Sequence, residues 1–560
     1  MRNKKRLLTI ITLFVVIIGF VVWRLVDVQI LQRETWKTKA KTIHQQKISD
    51  QPQRGKIYDR NGTLLAFNKK AYSVAVDSYD MTKPELLIDV LVEELGISRR
   101  ELSDLVYKQS YFTWIDRTVS YKTGERIKQR INNLEIDGVI VLDSTRRVYP
   151  RGDLAGSILG FTGIDGDGLA GIEYSMNDIL NGKPEVRKVI FGANRYPYKQ
   201  IVLVEGEPGA DVYLTIDLKI QFMLKQELQE GVSKFQANKG WGVVLDPSTG
   251  EVLAMAQNKG YNPNNYEQYQ SSQRKNLGIS HTYEPGSIMK AFAGLAALDY
   301  GTVTPETMID GNSPIVLYNH PISNAQYRDY GQVPFKEVIE NSINTGIIRV
   351  SEKMGEEKLY RFLNKVGFGR KTGIALPGEE PGQLKYFTEW SGLAIGSIPI
   401  GQGMTVTALQ LAGKMGSIAN GGSLVPPTIV NKVASPEETS SKRYSPNSGY
   451  SRLIASTKSI NNMKEMLRRV VKSGTGQEAD IPGYSVCGKT GTAQKAEGGG
   501  YAAGKYISSF AGFFPKENPR FLILIVLDEV GTRPVWGGAT AGNVFKQVAT
   551  RIISSTNENP

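Results

Sequence analysis

From Leu7 to Trp23 the chain runs without charge, apolar except for Thr9, Thr12 and Gly19, and Arg24 closes the run. Its length is at the short end for a membrane-spanning helix. The residues that follow, Arg24 to Val28, hold no small-residue cleavage site, so the pattern predicts an uncleaved anchor over 7–26 rather than a signal peptide. Arg2, Lys4, Lys5 and Arg6 precede it and predict that the short tail 1–6 stays in the cytoplasm. Everything beyond about residue 27 is then exported. Residues 27–50 are polar with apolar positions at intervals and read as a helix leaving the membrane.

Beyond residue 50 the texture alternates between strand and helix periods. Residues 54–66 carry Asn61-Gly62 between two strand-like runs, a hairpin signal. Residues 84–106 have apolar positions at helical spacing with Pro84 near the start. A short strand is predicted over 139–142 and a glycine-rich turn over 160–171. Asp165 and Asp167 stand in that turn, but not in the order a calcium loop needs. A strand over 212–216 leads to Asp217, placed to cap a helix reaching about residue 235. Residues 241–255 read as strand, turn, strand. Near the end come a buried strand over 521–527 and a helix over 541–553, and 436–451 is the clearest loop. These elements predict a multidomain α+β (or α/β) protein: an anchor, a first exported domain over 27–235, and a second over 236–560.

Charge and composition narrow the function. The net charge is +13. Four of the basic residues lie in the tail, and the rest are spread without an arginine stripe, which argues against nucleic acid and for anionic lipid or wall polymer. Cys487 is the single cysteine, so neither an internal disulfide nor a cysteine metal site can form. His44, His281 and His320 are far apart in sequence, with no metal-binding spacing, and Gly-x-Ser-x-Gly is absent. If a serine is the nucleophile, its base is a lysine sooner than a histidine.

Ser287-Ile288-Met289-Lys290 meets that expectation. Glu284-Pro285-Gly286 starts a helix before it, and a mostly apolar run, Ala291 to Leu298, follows. Serine and lysine three apart share a helix face. The helix N-terminus offers backbone N–H groups to a developing oxyanion. To accept a proton the lysine must be neutral, so burial or a neighbouring cation has to lower its pKa. The other Ser-x-x-Lys, at Ser272, lies in a polar stretch with no apolar helix behind it. Of three Lys-Thr-Gly copies, only the one at Lys489 follows a strand-like run; Lys371 sits in a glycine-rich turn and Lys122 in the first domain. Ser342-Ile343-Asn344 follows a helix-like stretch between the two.

Ser-x-x-Lys, Ser-x-Asn and Lys-Thr-Gly in this order resemble the signature of penicillin-binding proteins and serine β-lactamases. The wider resemblance is to class B penicillin-binding proteins and covers nearly the whole chain. Arg54 to Ala66, Arg147 to Pro150 and Gly168 to Glu173 resemble their non-catalytic pedestal. Glu284 to Lys290, Gly401-Gln402-Gly403 and Cys487 to Lys495 look most like the cell-division or sporulation branch. The resemblance implies an elongated α+β pedestal over 27–235, and over 236–560 a transpeptidase domain with an antiparallel sheet flanked by helices. It implies Ser287 as acylated nucleophile, Lys290 as base, and Ser342 and Asn344 as proton shuttle and substrate holder. It implies Lys489, Thr490, Gly491 and Thr492 as the carboxylate-recognition strand, with the N–H groups of Ser287 and Thr492 as oxyanion hole. The implied reaction cross-links peptidoglycan stem peptides, needs no cofactor or metal, and is blocked by β-lactams. The implied partners are the cytoplasmic membrane, a polytopic glycan-strand polymerase and division proteins. A D,D-carboxypeptidase, a β-lactam-sensing membrane protein and an inactive scaffold are the rival readings.

Overall fold

The structure, a computed structural model, describes residues 2–36, 45–50, 52–191, 197–435, 441–444, 452–497 and 500–556. They fall into two compact units, one of residues 1–54 with 181–209 and one of 55–180 with 210–560.

In the first unit the helix Arg2–Val26 continues through a wider turn, Asp27–Leu31. Among the described residues Lys4–Leu31 is the one helix long and apolar enough to cross a membrane. Its apolar side chains stand exposed all round, as lipid-facing residues do. The expected helix over 27–50 is only partly present. Helix extends to residue 36, residues 37–44 lie outside the described set, and Gln45–Asp50 is a strand. That strand pairs antiparallel with Glu185–Phe191, whose other edge takes Pro197–Val204. Partners about 140 residues away outweigh the local preference here.

The second unit holds a seven-stranded sheet and a five-stranded sheet. The expected hairpin is present, with Ile57 opposite Ala66 and Tyr58 opposite Leu64. Asp59 Oδ1 closes its turn by accepting from the Asn61 and Thr63 amides at 2.9 and 2.7 Å. Strand Leu64–Val76 then pairs with both Thr113–Ser120 and Val139–Val148. On the other side of Ile57–Tyr58 the sheet continues through Asp211–Leu214, Val430–Ala434 and Ser441–Arg443. The rest of the loop expected over 436–451 lies outside the described residues. The single helix expected over 84–106 is two, Pro84–Leu95 and Arg99–Val106. Gly96 ends the first at φ +69°, and the Ser98 hydroxyl caps the second by accepting from the Glu101 amide at 3.3 Å.

The five-stranded sheet is preceded by helix α1 (Leu218–Lys234), whose first turn Asp217 caps as expected. Strands β1 (Lys239–Leu245) and β2 (Val252–Gln257) follow. Next come helices α2 (Met289–Asp299), α3 (Phe335–Glu340), α4 (Asn344–Met354), α5 (Ala408–Ala419) and α6 (Thr457–Lys472). Strands β3 (Cys487–Glu497), β4 (Gly500–Phe514) and β5 (Phe521–Asp528) and helix α7 (Ala541–Thr556) complete it. The five strands lie antiparallel in the order β2-β1-β5-β4-β3. All eight residues of β5 are buried, because both faces are covered. Leu522, Leu524 and Val526 join the core formed with α2 and α5. Ile523, Ile525 and Leu527 join the core formed with α1 and α7. Helix α2 is buried from Met289 to Leu298, the environment its apolar sequence demands. β3 is left as an edge strand, and the turn carrying Ser287 packs beside it.

Candidate active site

Ser287 stands in a single 3-10 turn, Gly286–Ile288, that runs directly into α2. The turn meets β3 closely. Gly286 has φ +57°, and a Cβ there would stand 3.0 Å from the Thr492 carbonyl oxygen. A Cβ on Gly491 would stand 2.8 Å from the Pro285 carbonyl oxygen and closer still to Ser509. Both glycines are required by this approach of backbone to backbone.

Lys290 is completely buried, and four oxygens surround its amine. Nζ lies 2.6 Å from the Ser342 carbonyl, 2.6 Å from Asn344 Oδ1, and 3.0 Å from both Ser287 Oγ and Ser342 Oγ. The two carbonyl oxygens can only accept. A neutral amine therefore spends its two N–H bonds on them and turns its lone pair to the hydroxyls, so that Ser287 O–H donates to Nζ. Burial pushes the Lys290 pKa well below its ordinary value, and the charge of Lys489 pushes it further the same way.

Lys489, on β3, is also fully buried, and burial pushes its pKa down to about 7. Its Nζ donates to Ser342 Oγ at 2.9 Å. Ser342 thus sits between the two amines, in the link between α3 and α4, with φ +56°. A serine seldom adopts that conformation, and its cost is of order 1 kcal/mol. Thr490 Oγ1 lies 3.1 Å from Thr475 Oγ1, and Thr492 Oγ1 accepts from the Gly537 amide at 3.0 Å.

The eight residues singled out in the sequence therefore lie along one continuous line, Ser287–Lys290–Ser342–Lys489 with Asn344 at its side and Thr490 to Thr492 along the sheet edge. The competing copies lie elsewhere: Ser272 in an exposed turn, Lys371 in an exposed irregular segment and Lys122 on the helix Tyr121–Leu134. The sequence reading missed Thr475, Gly537 and Ser323, which hold Thr490, Thr492 and Asn344, and Asn324, which holds Thr345 next to Asn344. A signal existed for Thr475, which follows the Lys-Thr-Gly variant Lys472-Ser473-Gly474. Among the described residues no group of three or more His, Cys, Asp or Glu side chains is arranged to hold a metal.

A serine hydroxyl facing a desolvated lysine, beside a sheet edge able to align an extended peptide, is the equipment of an acyl-transferring serine enzyme. The family model for the penicillin-binding protein transpeptidase domain matches residues 240–550, and that for the penicillin-binding protein dimerisation domain matches residues 49–214. The chain belongs to the penicillin-binding transpeptidases. It is 30% identical to stage V sporulation protein D of Bacillus subtilis, over 95% of this chain and 84% of that protein. It is also 30% identical to the peptidoglycan D,D-transpeptidase FtsI of Buchnera aphidicola subsp. Baizongia pistaciae, over 99% of this chain and 96% of that one. The crystal structure of penicillin binding protein 3 from Mycobacterium tuberculosis superposes with a TM-score of 0.71 at 28% identity, covering 91% of this chain and 98% of the other.

Proposed function

We propose that this chain is a membrane-anchored peptidoglycan D,D-transpeptidase of septal or sporulation wall synthesis, with Ser287 as its acylated nucleophile. The observation that carries the assignment is the buried Lys290 amine, 2.6 Å from two carbonyl oxygens and 3.0 Å from Ser287 Oγ. In the first step Ser287 Oγ attacks the carbonyl carbon of the penultimate D-alanine, and its proton passes to Lys290. The peptide C–N bond then breaks. The departing D-alanine amine receives a proton by way of Ser342, which touches both amines. In the second step an amine of a neighbouring stem attacks the ester carbonyl carbon, a new C–N bond forms, the ester C–O bond to Ser287 breaks, and the proton lost by the amine passes through Lys290 to Ser287 Oγ. The N–H groups of Ser287 and Thr492 serve the oxyanion, and Lys489, Thr490, Gly491 and Thr492 receive the substrate carboxylate. A β-lactam enters as a mimic of the first substrate and stops at the ester.

The full chain in detergent, given a stem peptide ending in D-Ala-D-Ala, is expected to release D-alanine. With a second stem carrying a free amine it is expected to form the cross-linked dimer. D-alanine release with no dimer at any amine concentration would reassign the chain as a carboxypeptidase.

The same reading divides the chain into a cytoplasmic tail 1–6, an anchor 7–26, a pedestal 27–235 and a catalytic domain 236–560 outside the membrane. It adds a polytopic glycan-strand polymerase and division proteins as partners, met by the anchor through helix packing in lipid and by the pedestal through a more polar contact. Protease added to spheroplasts should leave only a short N-terminal stub. The polymerase should co-purify with the native chain and be lost when 1–26 is replaced by an unrelated helix. An intact exported domain after protease, or a polymerase absent from the native preparation, would overturn these assignments.

A further inference from the structure

The residues between Met308 and Pro334 fold as a small excursion of two strand pairs and a 3-10 turn, and they carry an unusual load of backbone strain. Four of their non-glycine residues have left-handed φ: Tyr318 (+46°), Asn319 (+63°), Gln326 (+57°) and Tyr327 (+56°). Strained backbone persists only where its surroundings over-determine it. Here one side chain supplies much of that restraint. Asn324 is 5% exposed. Its Nδ2 donates to the carbonyls of Gly311 and Arg328 at 2.9 Å each, and so closes the turn that holds Gln326 and Tyr327. Its Oδ1 accepts from the Thr345 amide at 3.0 Å and from the Thr345 hydroxyl at 3.2 Å. Every hydrogen-bonding position of the amide is used.

Both neighbours of this knot lead to the active site. Thr345 follows Asn344 at the start of α4. The carbonyl of Ser323, one residue before Asn324, accepts from Asn344 Nδ2 at 2.8 Å. That bond dictates which way the Asn344 amide points, and the correct way leaves Oδ1 on Lys290 Nζ at 2.6 Å. We propose that Asn324 is a positioning residue of the acyl transfer, which fixes the Asn344 amide through Ser323 and Thr345 and thereby aims the Lys290 lone pair at Ser287. This inference rests on the roles given above to Ser287, Lys290 and Asn344. Asn324 itself touches neither substrate nor reacting atoms.

Two substitutions separate positioning from mere support of the fold. Asn324→Asp keeps both acceptor contacts to Thr345 and loses both donors, while Asn324→Ala loses all four. Arg349→Ala is the control. Arg349 restrains the same excursion through the Asp310 and Asn312 carbonyls and the Asp310 carboxylate, without reaching Asn344. The measurement is the second-order rate of labelling of the full-length protein by a fluorescent penicillin across pH, with the melting temperature alongside. Lys489 is the charged group that faces Lys290; it is common to all the variants and therefore cancels. Labelling in Asn324→Ala should fall about tenfold or more. Its ascending limb should move to lower pH, because the ammonium form of Lys290 loses an acceptor. Asn324→Asp should lie between in rate, its added carboxylate holding the limb at higher pH than in Asn324→Ala, and Arg349→Ala should keep the native rate and limb at a comparable melting temperature. Native labelling and an unmoved limb in both Asn324 variants would overturn the proposal, as would an Arg349→Ala profile indistinguishable from that of Asn324→Ala. Label on the native protein at a serine other than 287 would instead overturn the reading beneath it.

Discussion

Replacing Ser287 with alanine is expected to abolish labelling by a fluorescent penicillin and to lower D-alanine release by at least about a thousandfold, since loss of a covalent nucleophile leaves only binding and oxyanion stabilisation. The fold should survive. Among the described residues the Ser287 side chain caps no helix, and its one hydrogen bond is to Lys290. Lys290 would keep both its carbonyl partners, Ser342 and Asn344. The melting temperature should therefore stay close to native, which separates loss of chemistry from loss of structure. Ser272→Ala should label as the native chain does, because Ser272 lies in an exposed turn and the lysine three residues on, Lys275, is exposed as well. Persistent label in Ser287→Ala, or label mapped to Ser272, would remove Ser287 from the mechanism.

How far the sequence can be read differs by residue. Ser287 and Lys290 are legible because the chemistry leaves a mark in the helix that bears them: a lysine in the first turn of a run as apolar as Met289 to Leu298 has to be buried, and a buried lysine needs a reason. The strand character before Lys489 singles it out from Lys122 and Lys371 in the same way. Its contact with Ser342 Oγ is not legible, since it depends on β3 being the edge of a sheet whose order is set by non-local pairing. The left-handed φ of Ser342 is equally hidden, because nothing about a serine announces it. Gly96 shows the opposite failure. The helix ending and the Ser98 cap with Glu101 three residues on were both present in the residues. The apolar spacing continues across them and reads as one helix. The strand Gln45–Asp50 could not be found locally at all, for its partner strand lies far along the chain. Asn324 and Ser323 stay invisible for a related reason: a polar residue in a loop looks the same whether it faces water or ties down a catalytic amide.

The two buried lysines require the acylation rate to depend on pH in a particular way. Lys290 must be neutral to take the Ser287 proton, so the rate rises as pH climbs through its lowered pKa. Lys489 must be charged to attract the substrate carboxylate, so kcat/KM falls as pH rises past about 7, where burial has placed its pKa in the free enzyme. A bell-shaped profile follows, whose limbs belong to the coupled pair rather than to either residue alone. A bound carboxylate favours the charged form of Lys489, so the descending limb of kcat should lie at higher pH than that of kcat/KM. Lys489→Arg keeps a cation that does not titrate in this range, and the descending limb should disappear from it. Lys290→Met replaces the buried amine with a side chain of similar length and no charge. It should cost about 10²- to 10⁴-fold in acylation, the usual worth of a positioned base, and erase the ascending limb. An ascending limb that survives in Lys290→Met would give the base to another group. The nearest alternative is Lys489 acting through Ser342, the only other amine touching that hydroxyl among the described residues, and the Lys489→Arg profile would then lose its ascending limb instead of its descending one.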